Sequence, residues 1–155
     1  LLNEYQNVII LRTFSKVYGL AGLRVGYAIS SKEIIELLNR VRGPFNVNAA
    51  AQAAALAALD DQEFVQMSVR TNQAGKQYLY QAFEEMGLEY IPTHTNFIMV
   101  NVEKNSLEIF RALLQKGVII RSGDIFDMDN WIRVTIGTPE QNMRLIDALK
   151  EVLNR

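Results

Sequence analysis

A lysine directly follows a serine at Ser15-Lys16, within a stretch from Thr13 to Gly22 that holds two glycines, Gly19 and Gly22. Apolar runs flank it, and Arg24 stands eight residues after the lysine, inside the second run. A lysine beside a buried sheet edge is a candidate imine-forming amine, because partial desolvation favours its neutral, nucleophilic form. A hydroxyl and a guanidinium close by make an anion site, since arginine presents a planar charged fork that matches phosphate. The glycines permit tight turns and close approach of backbone to a ligand. They fit neither nucleotide-loop pattern: G-x-x-x-x-G-K-[ST] and G-x-G-x-x-G are both absent. The competing reading of Ser15-Lys16 is a solvated lysine with no chemistry, the usual state of a surface lysine.

The elements that would position these residues follow from periodicity. Residues 7–12 and 23–29 are short apolar runs rich in β-branched side chains and read as buried strands. Ser30 or Ser31 can cap a helix whose apolar positions are Ile34, Leu37, Leu38 and Val41, stopped by Gly43-Pro44. Asn48 opens an alanine-rich helix over 49–59, and Asp60-Asp61 ends it and can cap the next. A long, imperfectly amphipathic helix follows over 62–86 with Gly87 past its end. Residues 88–91, 96–102, 118–121 and 131–136 read as strands. Ser106 reads as the cap of a helix with Leu107, Phe110, Leu113 and Leu114 on its core face. Thr138-Pro139-Glu140-Gln141 is a helix start with a capping box and proline at the first position, leading to Met143, Ile146, Leu149, Val152 and Leu153.

The chain has 155 residues, 49% hydrophobic and 21% charged, enough to bury a core without staples. Sixteen Lys+Arg against 17 Asp+Glu leave a formal charge of -1, without the field of a non-specific nucleic-acid binder. With no cysteine, disulfides, thiolate zinc and iron–sulfur clusters are excluded, and one histidine cannot build a histidine-rich metal site. No apolar run reaches the roughly 20 residues of a membrane span. The fold class is α/β or α+β, with a unit of its own from about residue 87 onward.

The stretch Arg12-Thr13-Phe14-Ser15-Lys16-Val17-Tyr18-Gly19-Leu20-Ala21-Gly22-Leu23-Arg24-Val25-Gly26-Tyr27 resembles the lysine signature of fold-type-I pyridoxal-phosphate aminotransferases of class II, on the histidinol-phosphate aminotransferase branch. The resemblance continues through Gly43-Pro44-Phe45-Asn46-Val47-Asn48, Thr95-Asn96-Phe97 and Trp131-Ile132-Arg133-Val134-Thr135-Ile136-Gly137-Thr138, across essentially the whole chain. It implies pyridoxal 5'-phosphate as cofactor, with Lys16 as the residue that forms the internal aldimine and shuttles the proton. Ser15 and Arg24 would hold the cofactor phosphate. Arg133 would be the substrate-anion anchor and Arg121 its partner, and two guanidiniums suit a dianionic phosphate better than one. A solvated strand end remains the other reading of Arg121, and a cross-strand ion pair that of Arg133. The family usually has a small residue after the lysine, where this chain has Val17.

The same resemblance implies a transaminase moving an amino group between histidinol phosphate and 2-oxoglutarate in histidine biosynthesis, homodimeric and cytoplasmic. An aromatic amino-acid aminotransferase, a threonine-phosphate decarboxylase of the same fold, and a non-catalytic fragment are the alternatives. Residues 1–61 would be the C-terminal part of a large cofactor domain, 62–86 a bridging helix and 87–155 a small C-terminal domain. In this family the acid that pairs with the pyridine nitrogen lies upstream of the lysine motif, so the chain is expected to be an inactive portion of a longer enzyme. Packing or capping is the expected role of Tyr18, Trp131, Asp60, Asp61 and Glu63, and His94 is expected in a surface loop. Asn96 opens a strand. Asn46 and Asn48 fall on a loop that could lie near a dimer interface.

Overall fold

The computed structural model describes residues 1–2 and 4–154. They form two compact units, Leu1–Val69 and Arg70–Arg155.

In the first unit, β1 (Ile10–Thr13) and β2 (Gly26–Ile29) pair antiparallel, with Ile10 opposite Ile29 and Thr13 opposite Gly26. A side chain at position 26 would put its Cβ 2.6 Å from the Arg12 carbonyl oxygen, so the close approach of the strands there requires glycine. Both strands start later than their apolar runs suggest. Ala21–Leu23 form a 3-10 turn, and Arg24 follows with φ 54 and ψ 54, a left-handed conformation far from the extended backbone of a regular strand. Arg24 therefore precedes β2 and is not part of it.

Helix α1 (Lys32–Val41) begins at Ser31, but the Ser31 hydroxyl makes no cap bond. The Ser30 hydroxyl instead donates to the Val8 carbonyl at 2.6 Å. Helix α2 (Ala49–Asp60) is capped as its sequence requires, with the Asn48 side chain accepting from the Ala51 N–H at 2.8 Å. At the start of α3 (Gln62–Glu85) the Asp61 carboxylate accepts from the Phe64 N–H at 3.0 Å.

The second unit holds an antiparallel sheet in the order β3-β4-β6-β5 and two helices besides the C-terminal part of α3. The strands are β3 (Tyr90–Ile91), β4 (Phe97–Asn101), β5 (Arg121–Ser122) and β6 (Trp131–Thr135); the helices are α4 (Ser106–Gln115) and α5 (Pro139–Leu153). Alternation along the central strands buries Ile98, Val100, Ile132 and Val134 against Leu79 and Phe83 of α3, Leu113 of α4 and Leu149 of α5. The other face carries Phe97, Met99 and Arg133, each half-buried. Glycine ends α3: Gly87 has φ +66, and the Leu88 N–H returns to the Phe83 carbonyl at 2.8 Å.

Three sequence expectations need correction here. Asn105, not Ser106, caps α4, its side chain accepting from the N–H groups of Leu107 and Glu108. The buried face of α4 is Ile109 and Leu113, while Leu114 is exposed. The run 118–120 is not strand, because the Val118 N–H is committed to the Leu113 carbonyl at 2.9 Å in closing α4. The capping box of α5 is present in full, with both the Thr138 and Gln141 side chains engaged and Pro139 in the first turn. Its core face includes Leu145, and Met143 is exposed.

Candidate functional site

In the first unit the residues around Lys16 are held by a short ladder of local bonds. The Ser15 N–H donates to Thr13 Oγ1 at 3.0 Å, the Leu20 N–H to the Phe14 carbonyl at 3.0 Å, and the Gly19 N–H to the Lys16 carbonyl at 2.9 Å. Gly19 has φ +71, a value that a side chain would make costly. Phe14 is buried and anchors the turn, its ring centroid 4.8 Å from Tyr18 and 6.0 Å from Tyr27. Tyr18 thus packs, as expected.

Arg24 reaches back over this turn. Its Nη1 donates to the Ala21 carbonyl at 2.6 Å and lies 3.4 Å from the Ser15 hydroxyl, a long and weak bond. No carboxylate pairs with Arg24 among the described residues. The guanidinium and hydroxyl are therefore adjacent, and neither is paired with an acid among the described residues. Lys16 itself is exposed. The partial desolvation expected of an imine-forming amine is therefore not found at Lys16 in this unit.

In the second unit, antiparallel pairing sets Arg121 of β5 directly opposite Arg133 of β6. Arg133 also faces Met99 on its other side, and its guanidinium lies 5.0 Å from the centroid of the Phe97 ring. The ion pairs among the described residues are Lys32–Glu36 and Lys116–Glu151, and neither arginine takes part in one. The cross-strand ion pair considered for Arg133 is thus not made: like charge stands where the acid would be.

The remaining candidates fall into structural roles. His94 is exposed in a loop. Asn46 accepts from Arg42 at 3.1 Å, and the Asn96 carbonyl accepts the Ile136 N–H at 2.9 Å. Trp131 starts β6. Among the described residues no cluster of His, Cys, Asp or Glu could hold a metal ion. A groove of about 590 Å³ beside α5, lined by residues such as Lys116, Glu140 and Arg144, includes none of the five site residues.

Sequence reasoning missed one cluster. Ser106 and Ser122, both buried, stand 2.9 Å apart at their hydroxyls, and Ser122 also donates to the Asp124 carboxylate. Sixteen residues separate the two serines, so no local pattern announces the pair.

Comparison with known proteins gives a consistent result. Residues 1–149 match the model of the family "Aminotransferase class I and II". A histidinol-phosphate aminotransferase of Caldicellulosiruptor saccharolyticus is 58% identical over 98% of this chain and 42% of its own length. One from Moorella thermoacetica is 61% identical over 95% of this chain and 38% of its own length. The crystal structure of histidinol-phosphate aminotransferase from Sinorhizobium meliloti in complex with pyridoxal-5'-phosphate has a TM-score of 0.83 at 31% identity, over 96% of this chain and 42% of that one. The chain spans about two fifths of the length of the curated relatives it matches. With the lysine turn and the arginine pair in place, these matches carry one conclusion: the chain belongs to the aminotransferase class I and II family.

Proposed function

We propose that this chain contributes the cofactor anchor and the substrate-anion groups of a pyridoxal-phosphate-dependent aminotransferase, which moves an amino group between histidinol phosphate and 2-oxoglutarate in histidine biosynthesis. The observation that carries the substrate reading is the register of Arg121 opposite Arg133, with no acid paired to either among the described residues. Two forks on adjacent strands suit a dianionic phosphate.

The residues present fit the cofactor. Ser15 and Arg24 offer one hydroxyl and one guanidinium for its phosphate, and Lys16 offers a primary amine for its aldehyde. When bound, pyridoxal phosphate supplies an electron sink for the negative charge that develops at the substrate Cα. Lys16 would hold the cofactor through its Nζ and, as a free amine, would take up and return a proton at the substrate Cα. Arg24 and Ser15 fix the phosphate end so that this short transfer recurs with the same geometry. Arg121 and Arg133 orient the substrate by its anionic group and leave its amine free.

On this reading residues 1–61 are the C-terminal part of a large cofactor domain, 62–86 a bridging helix and 87–155 a small domain. The active enzyme is a longer, cytoplasmic homodimer, and the 155-residue chain alone does not turn over. Among the described residues no helix is long and apolar enough to cross a membrane.

Titration with pyridoxal phosphate, borohydride reduction and peptide mapping test the anchor. A single reduced adduct on Lys16, lost in Lys16→Ala and weakened in Arg24→Ala, is expected. Adducts scattered over several lysines would overturn the assignment.

A further inference from the structure

The strand that carries Arg121 is two residues long. So short a ladder holds its register weakly, and a slip of one residue sends each side chain to the opposite face. The register it adopts is also electrostatically uphill, since like charges directly opposite one another destabilise a sheet. Something other than the ladder must hold Arg121 where it is.

Its neighbour Ser122 faces the other way and is buried. The Ser122 hydroxyl donates to the Asp124 carboxylate, so its single proton is committed there. Its remaining polar partner is the hydroxyl of buried Ser106, 2.9 Å away, which must then donate to it. This directed chain fastens β5 to the first turn of α4. Just beyond it, the Gly123 N–H donates to the Trp131 carbonyl at 2.8 Å, and a Cβ at position 123 would lie 2.4 Å from that oxygen.

We propose that Ser122 is a positioning residue: its hydroxyl, held between Ser106 and Asp124, fixes the register that sets Arg121 opposite Arg133, so that both guanidiniums bear on one phosphate group. The proposal rests on reading this arginine pair as an anion grip.

The test is a titration of the 155-residue chain with inorganic phosphate, followed through the arginine Nε–Hε nuclear magnetic resonance signals and assigned with Arg121→Lys and Arg133→Lys. In the unaltered chain the signals of Arg121 and Arg133 move together and saturate. In Ser122→Ala the affinity falls by about fivefold or more, the size of one lost buried hydrogen bond, and the two signals no longer move in parallel. Ser122→Thr, which keeps the hydroxyl, restores the coupled movement.

Asp124→Ala separates positioning from bulk charge. Removing an exposed carboxylate should tighten anion binding by simple electrostatics. Positioning predicts the opposite, a weakening of about threefold or more, as the hydroxyl chain loses its terminal acceptor. Because Asp124 is exposed, this variant keeps the question answerable even where Ser122→Ala unfolds the unit. Phosphate binding that is unchanged in Ser122→Ala, or tighter in Asp124→Ala, overturns the positioning role and leaves the arginine grip standing. A lack of any saturable movement at Arg121 and Arg133 in the unaltered chain overturns the grip itself, and the proposal with it.

Discussion

Arg121 and Arg133 face one another across the β5–β6 boundary, and neither is neutralised by a carboxylate among the described residues. Such a pair opposes folding and favours anion binding, and the two effects can be measured separately.

Arg121→Gln is expected to raise the unfolding midpoint at low ionic strength, in the absence of any multivalent anion. The gain should be about 0.2–1 kcal/mol, the usual cost of like charges placed opposite in a sheet. Added chloride should narrow the difference by screening, and added phosphate should reverse it by stabilising only the unaltered chain. Thermal unfolding across those solutions checks all of this, and a lower midpoint for the variant at low salt would refute it.

Tyr90 should ionise above the ordinary tyrosine range. Its hydroxyl donates to Glu84 Oε1 at 2.6 Å, and that bond, with smaller contributions from burial and the nearby Glu84 and Tyr80 charges, pushes its pKa from 10.0 up to about 12. The folded state then holds this proton more tightly than the unfolded state. The Tyr90 contribution to stability is complete below pH 10.0 and is lost as the pH rises from there towards about 12. Tyr90→Phe should remove that slope and delete an ultraviolet titration step at about 12. A variant that instead lost a step near the ordinary tyrosine value would contradict the assignment.

Gly75→Val should destabilise the second unit in spite of better helix propensity. A Cβ at position 75 would sit 2.7 Å from Asn142 Nδ2 and 2.7 Å from Ile136 Cγ2. Asn142 cannot yield cheaply, because its side chain accepts from the Gly137 N–H at 2.9 Å and donates to the Gly137 carbonyl at 3.1 Å. Overpacking of this kind costs about 1–3 kcal/mol, while replacing a helical glycine returns at most about 1 kcal/mol. Denaturant unfolding should show a lower midpoint with an unchanged slope, and an equal or higher midpoint would show that the helix shifts freely.

What could be read in the sequence was what local chemistry decides. Asn48, Asp61 and the Thr138–Gln141 box act within three residues of themselves, and all cap as their types require. Asn105 and Ser106 are equally good caps by type; Asn105 takes the role, and the Ser106 hydroxyl is engaged with Ser122 instead. The run 118–120 has strand composition, yet its first N–H belongs to the end of α4. Along α3 the apolar positions Phe64, Met67 and Val69 are exposed while Leu79 and Phe83 are buried, a contrast that no periodicity contains. Spacing alone makes Ser15-Lys16 a candidate, while the left-handed position of Arg24 before β2 is not visible in an apolar run that includes it. The opposition of Arg121 to Arg133 depends on strand pairing, and the family resemblance, not composition, brought those two together.

The backbone at Arg24 has a consequence for anyone redesigning this protein. A left-handed conformation costs an arginine roughly 1–2 kcal/mol that a glycine would not pay. Arg24→Gly would thus make the turn easier to fold while removing the guanidinium beside Ser15. Sequence optimisation guided by thermal robustness alone would favour that exchange early, and a library filtered that way would be enriched in well-folded chains without the guanidinium beside Ser15. Position 24 is best held constant in such libraries, and its neighbours Leu23 and Val25 left to vary.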